Sequence, residues 1–119
     1  MAEETVEFQH TLTSRFPELP PVYSTPDMIR LMETAGFHAL QSYCDPGEIT
    51  VGTAINIEHR AASGIGAHVI AEATLESFDG KFYVLRVTAH DDALEIGRGR
   101  VTRSVINVAK FLESMKKGR

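Results

Sequence analysis

The chain of 119 residues has a single cysteine, Cys44, and with it no internal disulfide and no multi-thiolate metal site. No base lies beside it in sequence, so Cys44 reads as a passive thiol near a helix end. The five histidines, His10, His38, His59, His68 and His90, show no HxxxH or similar ligand spacing, and no metal centre is expected. Internal repeats, low-complexity tracts and apolar runs long enough to cross a bilayer are also missing. The first residues, MAEETVEF, are acidic where a secretory leader is basic and then apolar, which makes the cytoplasm the expected compartment.

What is there is the composition of a folded domain, 43% hydrophobic and 24% charged, with enough chain for one core but marginal for two. One domain over residues 1–119 and a partner subunit are therefore expected. The net charge of −4 is unevenly divided. Residues 98–119 carry Arg98, Arg100, Arg103, Lys110, Lys116, Lys117 and Arg119 against one acid, Glu113. Arginine presents paired donors, so Arg98, Arg100 and Arg103 are candidate phosphate contacts, although a solvated strand and charged tail is the plainer reading. Without aromatic interleaving, no nucleic-acid partner is expected.

Residues 4–12 alternate as a first strand would, after which SRFPELPPVYSTP holds four of the five prolines and breaks regular structure. Too little chain precedes this loop to form a domain. Residues 13–24 are thus read as a lid lying over something, held by Phe16, Leu19, Val22 and Tyr23. Ser24 and Thr25 are N-cap residues, Pro26 suits a first helical turn, and Asp45-Pro46-Gly47 marks a stop, which predicts a helix over residues 26–42. The pattern then changes to period two. Val51, Thr53, Ile55, Ile57 and His59 share one face; Val69, Ala71, Ala73 and Leu75 face inward; Asp79-Gly80 makes a hairpin; Tyr83, Leu85, Val87 and Ala89 return inward. A last strand spans residues 94–108, with a bulge expected at Gly97 and Gly99. The result is an α+β domain, one long helix on a five-stranded antiparallel sheet whose last four strands form a meander. Its edge strands favour pairing of two sheets in a dimer.

Two polar groups stand on apolar faces. Glu33 falls among Ile29, Met32, Gly36, Phe37 and Leu40 at helical spacing, and His59 lies on the inward face of its strand. A helix lying on the sheet brings those faces together, and two desolvated titratable groups meeting in a pocket form the pattern of a site. Thr25 by itself reads as a helix cap.

The stretches VYSTPDMIRLMETAGFHAL, DPGEITVGTAINIEHRAASGIG and AHDDALEIGRGRVTRSVIN resemble the hotdog-fold thioesterases, and within them the fluoroacetyl-CoA thioesterase branch, over residues 16–112. The resemblance implies a hotdog fold, a homodimer and hydrolysis of an acyl-CoA thioester by Thr25, Glu33 and His59. Gly52 matches the glycine of the branch at the start of the next strand and is a candidate oxyanion donor through its backbone. The branch places two aromatics three residues apart over the acyl group; Phe16 matches the first, and Leu19 stands at the second. An aliphatic lid residue closes less selectively, so the acyl group stays open. No metal or redox cofactor is implied, and CoA enters only as part of the substrate. A non-catalytic acyl-CoA or small-ligand binding module on the same fold is the competing reading, and a hydratase would need an Asp and His about five residues apart at the helix start, where Asp27 has no such partner.

Overall fold

The structure, a computed structural model, describes residues 1–118; Arg119 of the basic segment lies outside the described residues. Strand β1 (Ala2–Thr5) is followed by helix α1 (Thr25–Leu40), strands β2 (Glu48–His59), β3 (His68–Phe78), β4 (Phe82–His90) and β5 (Glu95–Asn107), and helix α2 (Val108–Lys116). The strands form one antiparallel sheet in the order β1-β3-β4-β5-β2.

That order corrects the expected four-strand meander. Only β3, β4 and β5 meander, the first turn being closed by Asp79, whose Oδ1 accepts from the N–H groups of Lys81 and Phe82, with Gly80 at φ +99°. Both edges of β3 are taken, by β1 and β4, so β2 pairs instead along the free side of β5, from Glu48 opposite Asn107 to His59 opposite Gly97. The first strand is also shorter than expected. Thr5 faces His68, the first residue of β3, so beyond Val6 no neighbouring strand remains, and residues 8–10 and 12–14 close short 3₁₀ turns on themselves.

Helix α1 begins where its caps predict: the Ser24 hydroxyl accepts from the Asp27 N–H at 3.1 Å, and Pro26 occupies the first turn. Met28, Leu31, Met32, Ala35, Gly36 and Leu40 are its buried residues, packed on Val69, Ala71, Leu85, Val87, Ala89, Ile96 and Val101. Each fully buried large apolar side chain stabilises by about 1.5–3 kcal/mol. The centre of the stripe thus runs through Met28 and Met32, and Glu33, with Ile29 and Phe37, lies on its half-buried flank rather than in its middle.

At the other end of the chain, β5 stops at Asn107, whose side chain accepts from the Lys110 N–H at 3.0 Å and caps α2. The expected charged tail is therefore helical through Lys116. Beside Gly97, one extra residue of β5 bulges against β4, as expected; Gly99 instead keeps regular pairing, and a side chain there would strike the carbonyl of Asn56.

Candidate active site

Thr25 opens α1 and His59 closes β2, and the two meet: the Thr25 Oγ1 lies 2.8 Å from His59 Nδ1. Burial of the ring holds the His59 pKa below the ordinary histidine value, so the neutral imidazole is favoured. Its other nitrogen, Nε2, is buried and has no hydrogen-bond partner.

Glu33 belongs to a second group, two turns along the same helix. Its Oε1 lies 3.2 Å from Nη1 of Arg103, close enough for an ion pair but not aligned as a hydrogen bond, and Oε1 is buried without one. Oε2 lies against Gly52, where any added Cβ would collide with it. Gly52 reaches this face through a local device. Seven residues separate it from His59, an odd number that puts two strand residues on opposite faces. The register of β2 against β5 shifts between Gly52 and Ala54, leaving Thr53 as an extra residue whose hydroxyl bonds the Thr102 carbonyl at 3.2 Å. The bulge re-phases the strand, so Thr50 and Gly52 share the helix-facing side with Ile55, Ile57 and His59. The expected face of Val51 and Thr53 is corrected accordingly.

The expectation that helix and sheet bring Glu33 and His59 together is met only in part. Each lies between α1 and β2, but within one protomer neither bonds the other. Thr25 and Glu33 are eight residues apart, about 12 Å along a straight helix. The candidate residues of a single chain thus form two separate groups, Thr25 with His59 and Glu33 with Gly52 and Arg103. Among the described residues, the buried side-chain polar atoms with no hydrogen bond are Glu33 Oε1 and His59 Nε2. Each such atom costs about 1–3 kcal/mol in a merely structural role.

The arginines divide. Period two puts Arg98 and Arg100 on one face of β5 and Arg103 on the other. Arg98 and Arg100 are exposed and paired with Glu95 and Glu76, beside a cavity of about 450 Å³ on the sheet face away from α1. Arg103 is only 6% exposed. A surface phosphate contact for Arg103 is therefore corrected: its guanidinium is spent on Thr50 and Glu33 beneath α1. Sequence reasoning missed this role, and Thr50 with it, although Arg103 shares the inward phase of Val101 and Val105.

Residues 13–24, expected as a lid, fold back on themselves. The Thr13 hydroxyl donates to the Leu19 carbonyl at 2.6 Å, and the Leu19 N–H to the Phe16 carbonyl at 2.9 Å. Phe16, 58% exposed, lines a cavity of about 490 Å³ with Leu12, Arg15, Pro26 and Arg30, against the first turn of α1. Leu19 does not line it. A third cavity, about 370 Å³, is lined by Glu33, Phe37, Thr50, Gly52 and Arg103.

The comparisons agree with this architecture. The family model described as fluoroacetyl-CoA-specific thioesterase matches residues 3–109. The fluoroacetyl-CoA thioesterase of Streptantibioticus cattleyicolor is 41% identical over 108 residues, covering 91% of this chain and 78% of that protein. A solved structure of the fluoroacetyl-CoA thioesterase FlK superposes with a TM-score of 0.90 at 36% identity, over 98% of this chain and 91% of that one. A thioesterase superfamily member from Thermus thermophilus gives 0.88 at 28% identity, over 97% and 85%. The fold is the hotdog fold, shared also with a hot-dog-like protein from Thermanaerovibrio acidaminovorans at 21% identity and a TM-score of 0.87, over 97% and 85%. With the matched segment running from β1 into α2, the chain belongs to the fluoroacetyl-CoA-specific thioesterase family.

Proposed function

We propose that this chain hydrolyses short acyl-CoA thioesters to the free acid and CoA, using Thr25, Glu33 and His59 in a two-fold homodimer. The observation that carries the reading is the pair of buried, unbonded atoms Glu33 Oε1 and His59 Nε2, left on two half-sites along one strand. A binding module has no use for such a pair.

The dimer is supported by β2. It is an edge strand of twelve residues, Gly52 to Asn56 are exposed, and Ile55 is 50% exposed. Unpaired edges of that length invite a second strand. A two-fold axis midway between Ile55 and Asn56 would set Gly52 of one copy opposite His59 of the other, so that each half-site meets its complement.

In that site water adds to the thioester carbonyl. Glu33 removes a proton from the water, the C–O bond forms, and the carbonyl electrons move to an oxyanion that the backbone N–H near Gly52 can meet. Collapse breaks the C–S bond, and the proton passes through His59 to the departing CoA thiolate. Alternatively Glu33 adds to the carbonyl itself, the C–S bond breaks and CoA leaves as the thiol with a proton delivered through His59, and water then opens the anhydride to the free acid and the Glu33 carboxylate. Both routes use the same carboxylate, and neither calls on a metal or redox cofactor. Thr25 holds the imidazole through its 2.8 Å contact. Arg98 and Arg100 are left as candidate contacts for the CoA phosphates. Among the described residues no helix is long and apolar enough to cross a membrane.

The test is CoA release from a panel of short and medium acyl-CoAs, fluoroacetyl-CoA among them, together with the mass of the protein in solution. Turnover of short acyl-CoAs by a dimer supports the reading. Binding of acyl-CoA without CoA release makes the chain a binding module instead.

A further inference from the structure

The Glu33–Arg103 contact has one feature that ion pairing alone leaves unexplained: the arginine is anchored more firmly to Thr50 than to the acid it faces. Arg103 Nε donates to the Thr50 hydroxyl at 2.9 Å and Nη2 donates to the Thr50 carbonyl at 2.7 Å, both within the buried interior. Thr50 is itself only 2% exposed. The ring of Phe37 lies 6.0 Å from the guanidinium carbon, and a Cβ added at Gly36 would meet its Cδ at 3.4 Å. With two N–H groups fixed on one residue and its stem pinned under α1, the guanidinium plane cannot rotate. Its third nitrogen, Nη1, is thereby held 3.2 Å from Glu33 Oε1, an ion-pair contact without hydrogen-bond alignment.

The two oxygens of Glu33 are consequently unlike. Oε1 is fully buried on the arginine side, while the side chain as a whole keeps 24% exposure. Oε2 lies over Gly52, in space that only a glycine leaves free, at the cavity shared by Glu33, Gly52 and Arg103.

We propose that Arg103, locked by Thr50, is the positioning residue for Glu33, holding Oε1 so that Oε2, over Gly52, is the oxygen that meets the water or the acyl carbon. This rests on the reading of Glu33 as the reacting carboxylate. Thr50 acts one step further back. Its hydroxyl and carbonyl set the plane of the guanidinium, which sets the plane of the carboxylate. A buried cation whose anionic partner among the described residues is Glu33 also keeps that carboxylate from turning away, because leaving the guanidinium unpaired is costly.

The test measures kcat, KM and melting temperature on the full chain for Arg103→Gln, Thr50→Val, Thr50→Ser and Glu33→Gln. A positioning role lowers kcat for Arg103→Gln by roughly a hundredfold with KM within about twofold, since the interaction lost acts on the reacting carboxylate. Thr50→Val should lose about tenfold in kcat, and Thr50→Ser, which keeps the hydroxyl, should recover the parent rate. Guanidinium ion added to an Arg103→Ala protein should restore part of the turnover, a response that a packing role would not give. If Arg103→Gln does not fold, the Thr50 pair decides alone. The proposal is overturned by a folded Arg103→Gln with parental kcat, by a raised KM with kcat unchanged, or by Thr50→Val and Thr50→Ser behaving alike. Glu33→Gln separates the two levels. If it is inactive while Arg103→Gln is active, only the positioning role fails; if Glu33→Gln is itself active, the reading of the site fails first.

Discussion

Two arginine–glutamate pairs flank the same helix and differ in kind. On the β1 side, Arg30 Nη2 donates to both oxygens of Glu4, at 2.6 and 2.7 Å, and the Tyr23 hydroxyl donates to Glu4 Oε2 at 2.5 Å. Burial first, and then the Glu4 carboxylate, push the Tyr23 pKa far above the ordinary phenol value, so Tyr23 stays a donor. On the β2 side, Arg103 reaches a single oxygen of Glu33 at 3.2 Å and leaves it without a hydrogen bond. The first pair has both carboxylate oxygens hydrogen-bonded and ties the N-terminal strand to α1. The second keeps capacity in reserve beside a histidine in the same condition. What marks a site is the unanswered valence, more than the presence of charge.

The comparison can be broken from its structural side first. Glu4→Gln removes a carboxylate that joins Arg30, Tyr23 and the first strand, and should cost about 1–3 kcal/mol, read as a melting point several degrees lower. Turnover per folded molecule should stay at the parental value. A loss of kcat without a loss of stability would place Glu4 in the site and erase the distinction.

The pH dependence of stability sharpens it on the other side. The folded-state pKa of His59 is depressed by burial, so between that value and about 6.5 the unfolded chain binds more protons than the folded one. Stability from this group is therefore fully present above the unfolded pKa, declines as pH falls through the window, and levels off below the folded pKa. Relative to His59→Asn, the parent should lose melting temperature on acidification from pH 7 to 5. Parallel curves for the two proteins would mean that the ring is not desolvated. A smaller effect is expected at residues 13–24: Leu19→Phe, on a loop outside the core, should narrow the acyl-chain profile toward small groups and leave the stability within about half a kcal/mol of the parent. An unchanged profile removes Leu19 from substrate selection.

Much of this was legible because it obeys local rules. Tyr83, Leu85, Val87 and Ala89 are all buried as period two requires, Asp79-Gly80 turns the hairpin, and Ser24 caps the helix that Asp45-Pro46-Gly47 follows. The resemblance to the thioesterase branch supplied the fold name and the trio of polar positions. What escaped depends on neighbours distant in sequence. The partner of β2 is decided by which edges β1 and β4 leave free, and the face of Gly52 by one bulged residue, Thr53. A strict alternation therefore puts Gly52 and His59 on opposite faces, and Arg103 looks like one of three surface arginines although its phase is that of Val101. Helix α2 was hidden by its lysines, its apolar Phe111, Leu112 and Met115 being partly or largely exposed.

The central claim is that Glu33 is kept for chemistry, and its most direct test is Glu33→Gln measured for melting and turnover on the same preparation. The amide has the same shape, costs less to bury than an unanswered carboxylate, and cannot serve as base or nucleophile. The account predicts a protein that melts no more than slightly below the parent and hydrolyses acyl-CoA about a hundredfold more slowly or worse. A variant with parental kcat, or one whose activity falls only in step with its folded fraction, would contradict it.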